Sequence, residues 1–142
     1  MANALGTITA LTGNANSLAN GAYVSLGVID FTAAPPHECL IEVSLQASAA
    51  TSGNKQALLY VRSSLDGTNF SAAPSSTQAV NSRFLGYVSL PDTTAVRSIS
   101  FAVSPLFSGA LPQKVEPYLM NDCGVALAAS GQGGQYRTET FG

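Results

Sequence analysis

The clearest signal in the chain is a two-residue alternation of apolar and polar positions. Over residues 39–47, Cys39, Ile41, Val43, Leu45 and Ala47 share one side and Leu40, Glu42, Ser44 and Gln46 the other. A period of two over that length predicts a strand with one face against a core. Residues 56–63 predict a second strand, with Leu59 and Val61 on one side and Tyr60 and Arg62 on the other. It runs into Leu65-Asp66-Gly67-Thr68-Asn69-Phe70, where Asp-Gly supplies the positive φ of a hairpin or sharp reversal. Further strands are predicted over residues 23–31, with Gly27 as a bulge, over 83–90, and over 96–103, where Ile99, Phe101 and Val103 share a face. Residues 115–120 form another, and Pro117 argues that it is an edge strand or bulged. The pattern resumes over 125–129. In the tail, Tyr136, Thr138 and Thr140 alternate with Arg137, Glu139 and Phe141.

Prolines at 35, 36, 74, 91, 105 and 112 punctuate these runs. Strands at a spacing of roughly ten residues, separated by turn signals, predict an all-β antiparallel sandwich or barrel. No stretch carries a convincing helical period, although residues 106–111 suit one short helical turn. Residues 128–135, with Gly131-Gln132-Gly133-Gly134, read as a flexible loop or wide turn. Residues 1–20 differ from the rest: they hold no charge, four Asn and short apolar islands at Leu5, Ile8, Leu11 and Leu18. Such a segment is expected to be an extended N-terminal arm preceding a single β-sandwich domain over residues 21–142.

Composition narrows the function. Of 142 residues only 10% are charged, against about 25% in ordinary soluble chains. Hydrophobic residues reach 46%, so disorder driven by charge is excluded. Six Lys and Arg against eight Asp and Glu give a net charge of −2, so no basic field attracts nucleic acid. Mean hydropathy is +0.21, yet no apolar run approaches the ~20 residues of a membrane span. With no Lys or Arg before Lys55, a secretory signal is not expected, and synthesis in the cytoplasm is.

Candidate chemistry is sparse. His37 is the single histidine, expected exposed in a turn; Cys39, two residues on, shares its strand face and is compatible with a Cys–His pair or with a buried stripe. Cys39 and Cys123 are expected as free thiols, with their pairing as the alternative. The acidic residues are scattered singly, and Asp66-Gly67-Thr68-Asn69 lacks the alternating oxygen ligands of a calcium loop. The glycines at 131–134 have no Lys-Ser/Thr for a phosphate. Neither a cofactor, a small-molecule substrate nor a catalytic pair is expected. There is no Trp for a sugar platform, and Tyr23, Tyr60, Tyr87, Tyr118 and Tyr136 fall inside strands, where packing accounts for them. A low-charge β domain with an uncharged arm suits lasting contact with other protein chains, since ions are depleted at the centres of such interfaces. An arm is able to add a strand to a neighbour's sheet.

Two stretches carry a resemblance. Leu58-Leu59-Tyr60-Val61-Arg62-Ser63-Ser64-Leu65-Asp66-Gly67-Thr68-Asn69-Phe70 resembles a strand-and-turn pattern of small head proteins of tailed bacteriophages. The ending resembles theirs too: residues 109–112, then Tyr118-Leu119-Met120-Asn121-Asp122-Cys123-Gly124 through Ser130-Gly131, then Tyr136-Arg137-Thr138. These are capsid decoration, or cement, proteins. The resemblance spans residues 22–141 and implies a jelly-roll-type sandwich that binds the capsid surface of a virion. It further implies bridging of major capsid protein subunits and self-association as a dimer or trimer. The expected contacts are Leu5, Ile8, Leu11 and Leu18 in the arm, Asp66, Asn69 and Phe70 in the turn, and Tyr136, Arg137 and Phe141 in the tail. Rival expectations are a phage tail, fibre or spike component, a pilus-type subunit, and a carbohydrate-binding module.

Overall fold

A computed structural model describes residues 3–75, 82–91 and 95–141 of the chain. Residues 1–2 of the expected arm and residue 142 of the expected domain lie outside them. The strands are β1 Asn3–Leu5, β2 Thr9–Ala10, β3 Tyr23–Ser25, β4 Ile29–Asp30, β5 Glu38–Leu45, β6 Gln56–Ser64, β7 Arg83–Ser89, β8 Arg97–Ala102, β9 Lys114–Asp122 and β10 Gly133–Phe141. They form two antiparallel sheets. Sheet I has the order β1-β10-β5-β8, with β2 also on β10; sheet II has the order β3-β9-β6-β7, with β4 also on β9. The chain is all-β, as the alternation predicts, and the two sheets pack as a sandwich.

The core lies where the apolar stripes meet. β5 offers Cys39, Ile41, Val43 and Leu45, β6 offers Ala57, Leu59 and Val61, and β9 offers Val115 and Leu119, all at most 1% exposed. Leu26, Ile29, Val88, Leu90, Val103 and Leu127 complete it. Each such side chain contributes about 1.5–3 kcal/mol on burial. Both thiols are buried and free.

The N-terminal segment does not project as an arm. β1 pairs with β10 from Asn3↔Phe141 to Leu5↔Glu139, and β2 pairs Thr9 with Tyr136 and Ala10 with Gln135. The Leu11 and Ala15 amides then donate to the carbonyls of Gly134 and Gln132 at 2.9 and 2.8 Å, and Gly13 donates to Leu26 of the other sheet at 2.9 Å. Leu11 and Ala15 are buried, and Leu18 packs against the core. The absence of charge, which suggested an arm, is what lets the segment lie along β10 without desolvating ions. Its asparagines tie it to distant loops: Asn16 Oδ1 accepts from the Gln132 amide and Asn20 Oδ1 from the Gly124 amide.

Four other expectations are adjusted. β9 is a central strand although it contains Pro117. The Pro117 carbonyl accepts from the Leu26 amide on the β3–β4 side. A residue's N and C=O point to the same side of a strand, so the missing donor faces the interruption between β3 and β4, where Gly27 has φ of 103°. The Asp66-Gly67 reversal does not close a tight hairpin, because residues 65–82 separate β6 from β7. Residues 125–129 form no full strand but a single bridge, Ala47↔Leu127. The short helical turn falls at Ser104–Phe107, slightly earlier than expected.

Candidate functional site

Cross-strand partners project to the same face of a sheet. The register therefore fixes what each sheet shows to its outside. Across sheet II one outward row is Tyr23–Met120–Leu58–Tyr87, and the next is Ser25–Tyr118–Tyr60–Phe84. A third pairs Glu116 with Arg62. Four of the five tyrosines thus point away from the core, which corrects the expectation that packing accounts for them. Only Tyr136 faces inward, opposite Ile41.

The rings touch one another. Tyr23 and Tyr60 have centroids 6.1 Å apart at 42°, and Tyr60 and Phe84 are 5.6 Å apart at 58°. The Arg62 guanidinium lies 4.7 Å from the Phe70 ring centre and 5.5 Å from that of Tyr118. Its Nε donates to Glu116 Oε1 at 2.6 Å, and the Ser25 hydroxyl donates to Glu116 Oε2 at 2.5 Å. Glu116 is only 7% exposed, while the Arg62 side chain that pairs with it is partly open. Phe84 and Tyr87 are 51% and 56% exposed at the open side. Burial raises both the Tyr60 and Tyr118 hydroxyls, reinforced at Tyr60 by Tyr23 and then Asp122 and at Tyr118 by the charge of Glu116. Both tyrosines stay neutral, and the patch is aromatic with one ion pair, Arg62–Glu116, at its end.

Sheet I presents different chemistry. Ser44 and Ser98 join through their hydroxyls at 2.6 Å, and Gln135 Nε2 donates to Glu42 Oε1 at 2.9 Å. In these rows polar side chains meet one another.

The expected contact residues scatter over the molecule. Leu5 and Ile8 are exposed on the rim of sheet I, and Phe141 is exposed at the end of β10, stacked on His37 at 4.2 Å. Arg137 faces outward beside Ile8 and Leu40. Leu11, Leu18 and Tyr136 serve the core instead. Asp66 is consumed by its own turn: its carboxylate accepts from the Thr68 and Asn69 amides, from Ser64 Oγ and from Asn69 Nδ2. Those bonds hold its carboxyl well below the usual carboxylate range. Phe70 alone joins the face of sheet II, beneath Arg62.

His37 is half-buried rather than open in a turn, with Nε2 3.9 Å from Glu139 Oε2. Burial, then the charge of Glu38, pushes the Cys39 thiol up to about 12, so the Cys–His juxtaposition holds no thiolate nucleophile. Among the described residues no group of His, Cys, Asp and Glu is placed to hold a metal.

The face of sheet II was missed because each strand was read for its inward stripe. The signal was present: over residues 57–62 both sides are apolar, with Leu58 and Tyr60 opposite Leu59 and Val61. A half-exposed strand has no core need for aromatic residues on its solvent side. Comparison of the chain with protein-family models, with curated proteins and with solved structures finds no match.

Proposed function

We propose that this chain is a virion structural protein that decorates the outside of an icosahedral bacteriophage capsid and bridges major capsid protein subunits. The outer face of sheet II is its attachment surface. The observation that carries the reading is that face, with Tyr23, Leu58, Tyr60, Phe84, Tyr87, Tyr118 and Met120 in two adjacent rows and Arg62 against Tyr118 at their end. Tyr, Phe, Met and Arg are the residues enriched where proteins meet, and fully desolvated aromatic anchors supply most of the binding energy.

The strand order supports a jelly roll. With β1 and β2 counted as one interrupted strand and β3 and β4 as another, sheet I runs first-eighth-third-sixth and sheet II second-seventh-fourth-fifth. Eight strands in two Greek keys make that fold. Such a rigid block suits a clamp: genome pressure pulls capsomers apart, and a domain bound to both sides of a seam must be released before the seam opens. The protein is made in the host cytoplasm and ends on the capsid surface, there as a dimer or trimer.

The test is electron microscopy of shells of the encoding virus, incubated with the purified chain. Extra density over capsomer boundaries is expected, with sheet II against the shell. Bare shells at saturating protein overturn the reading. Attachment is expected to change little between low and moderate salt, because few ions take part; loss of binding on adding salt contradicts it. A carbohydrate-binding role draws on the exposed Tyr87 and Phe84 rings. The 42° and 58° tilts within the cluster favour a protein partner, since sugar rings stack on flat platforms. Binding on a glycan array separates the two.

A further inference from the structure

We infer that two copies of this chain join edge to edge through β8, antiparallel and two-fold, with Ser100 on the axis. This pairing rests on the edge geometry and is independent of what the face of sheet II binds.

Among the described residues four edge regions bound the two sheets, and three are interrupted. β1 and β2 are separated by residues 6–8, β3 and β4 by a break at Gly27, and β7 bears a register shift at Leu59/Tyr60 on its partner β6. Breaks and bulges are the devices that keep edges from pairing with other chains. β8 has none. It pairs with β5 from Leu40↔Ala102 to Leu45↔Arg97 without a shift, and among the described residues it pairs on that side only. Residues 98–102 contain no proline and no charge.

The backbone specifies the register of a partner. The Val103 amide donates to the Cys39 carbonyl across the β5–β8 ladder. Peptide groups alternate sides along a strand, so those of Ile99, Phe101 and Val103 point toward β5 and those of Ser98, Ser100 and Ala102 point to the open edge. A two-fold partner then satisfies every open group in one arrangement: Ser98 opposite Ala102 of the second copy, Ser100 opposite Ser100, and Ala102 opposite Ser98. Each pair exchanges two hydrogen bonds.

The side chains fit the same register. Between those pairs, Ile99 stands opposite Phe101 of the second copy, on the inner side of the sheet. Ile99 faces inward beside the fully buried Val43, yet it is 41% exposed, so the core is left uncovered at this margin. Phe101 lies over Gly86 of the other sheet, where a Cβ at residue 86 would collide with its ring. A second copy covers Ile99 with that ring.

The experiment is sedimentation velocity and light scattering of the full chain over a concentration series. The wild type is expected at twice the 14.5 kDa of one chain. Ser98→Lys with Ala102→Lys places like charges opposite each other at both ends of the seam and is expected to weaken the dimer by about tenfold or more. Ser98→Lys with Ala102→Glu places opposite charges there and is expected to restore it. Within one chain these positions are about 13 Å apart, too far to pair. Ser100→Pro removes the central donor from the open edge only and is expected to yield a folded monomer. A wild type that is monomeric or trimeric throughout overturns the inference, as does a dimer indifferent to these substitutions. A monomer that still decorates shells removes the pairing and leaves the proposed attachment standing.

Discussion

Across the outside of sheet I the rows run Ser44–Ser98 and Gln135–Glu42–Ser100; across sheet II they run Tyr23–Met120–Leu58–Tyr87 and Ser25–Tyr118–Tyr60–Phe84. Both faces belong to strands of similar length over one core, so the fold does not require the difference. On sheet I the Ser44–Ser98 and Gln135–Glu42 contacts pair polar side chains with each other. On sheet II the aromatic surface has no such completion within the chain, and burying it against another surface releases water from apolar area. Scarcity of charge is spread along the whole sequence, but four of the five tyrosines are gathered on the outside of sheet II, while the exposed apolar residues of sheet I, Leu5, Ile8 and Phe141, sit at its rim. The comparison separates a surface that is finished from one that is waiting.

The largest expected effect concerns how sheet I is completed. Deleting residues 2–20 removes the buried Leu11 and Ala15 and uncovers the β10 edge. The truncated chain is expected to lose cooperative thermal unfolding and to aggregate. A truncation that melts like the full chain restores the free-arm reading.

Next in size is Arg62→Ala on sheet II. It leaves the carboxylate of Glu116 enclosed without its partner, an expected loss of about 2–3 kcal/mol, read from urea midpoints. Arg137→Ala, on the face of sheet I, is expected to stay within about 0.5 kcal/mol. Equal losses would erase the contrast between the faces.

Tyr60→Ala and Tyr118→Ala are expected to cost roughly 1 kcal/mol in stability each. Shell affinity is expected to fall by about tenfold or more, as for buried anchors elsewhere. Ser98→Ala and Ser44→Ala on sheet I are expected to change attachment by less than about twofold.

The smallest effect is with pH. Burial raises the Glu38 carboxyl, but hydrogen bonds from Ser104, Cys39 and Val103 outweigh it and hold the group below its ordinary value. Asp66 is lowered by its turn amides, first those of Asn69 and Thr68. Both groups bind fewer protons folded than unfolded as acid is added, so their stabilisation is present above the ordinary carboxylate range and is lost as pH falls through their lowered values. The melting temperature is expected to be flat from pH 7 to about 5 and to fall below about pH 4. Asp66→Asn is expected to reduce that slope; an unchanged slope means the turn does not titrate with unfolding.

The sandwich was readable because inward stripes are strict. Ile41, Val43 and Leu45 alternate with polar neighbours, and a shift of one residue would turn them all to water. The N-terminal segment was misread because its apolar residues are three to seven apart, which matches no strand period. Its structure comes from β10, about 125 residues later in the chain, and local sequence carries no sign of that partner. Pro117 misled for a similar reason, since whether a missing donor matters depends on a break in a neighbouring strand. Phe70, expected as a contact through its turn, lies on the outside of sheet II against Arg62, a placement that the turn sequence alone does not give. The aromatic face required knowing that Tyr23, Tyr60, Tyr87 and Tyr118 lie on four adjacent strands with one parity, and only the order β3-β9-β6-β7 supplies that.

The most direct measurement is co-sedimentation of the chain with capsid shells, comparing the wild type with Tyr60→Ala/Tyr118→Ala and Ser44→Ala/Ser98→Ala. The account predicts saturable binding that survives the sheet I changes and falls about tenfold or more with the sheet II changes. Binding lost equally in both variants, or shells that never retain the wild type, would contradict it.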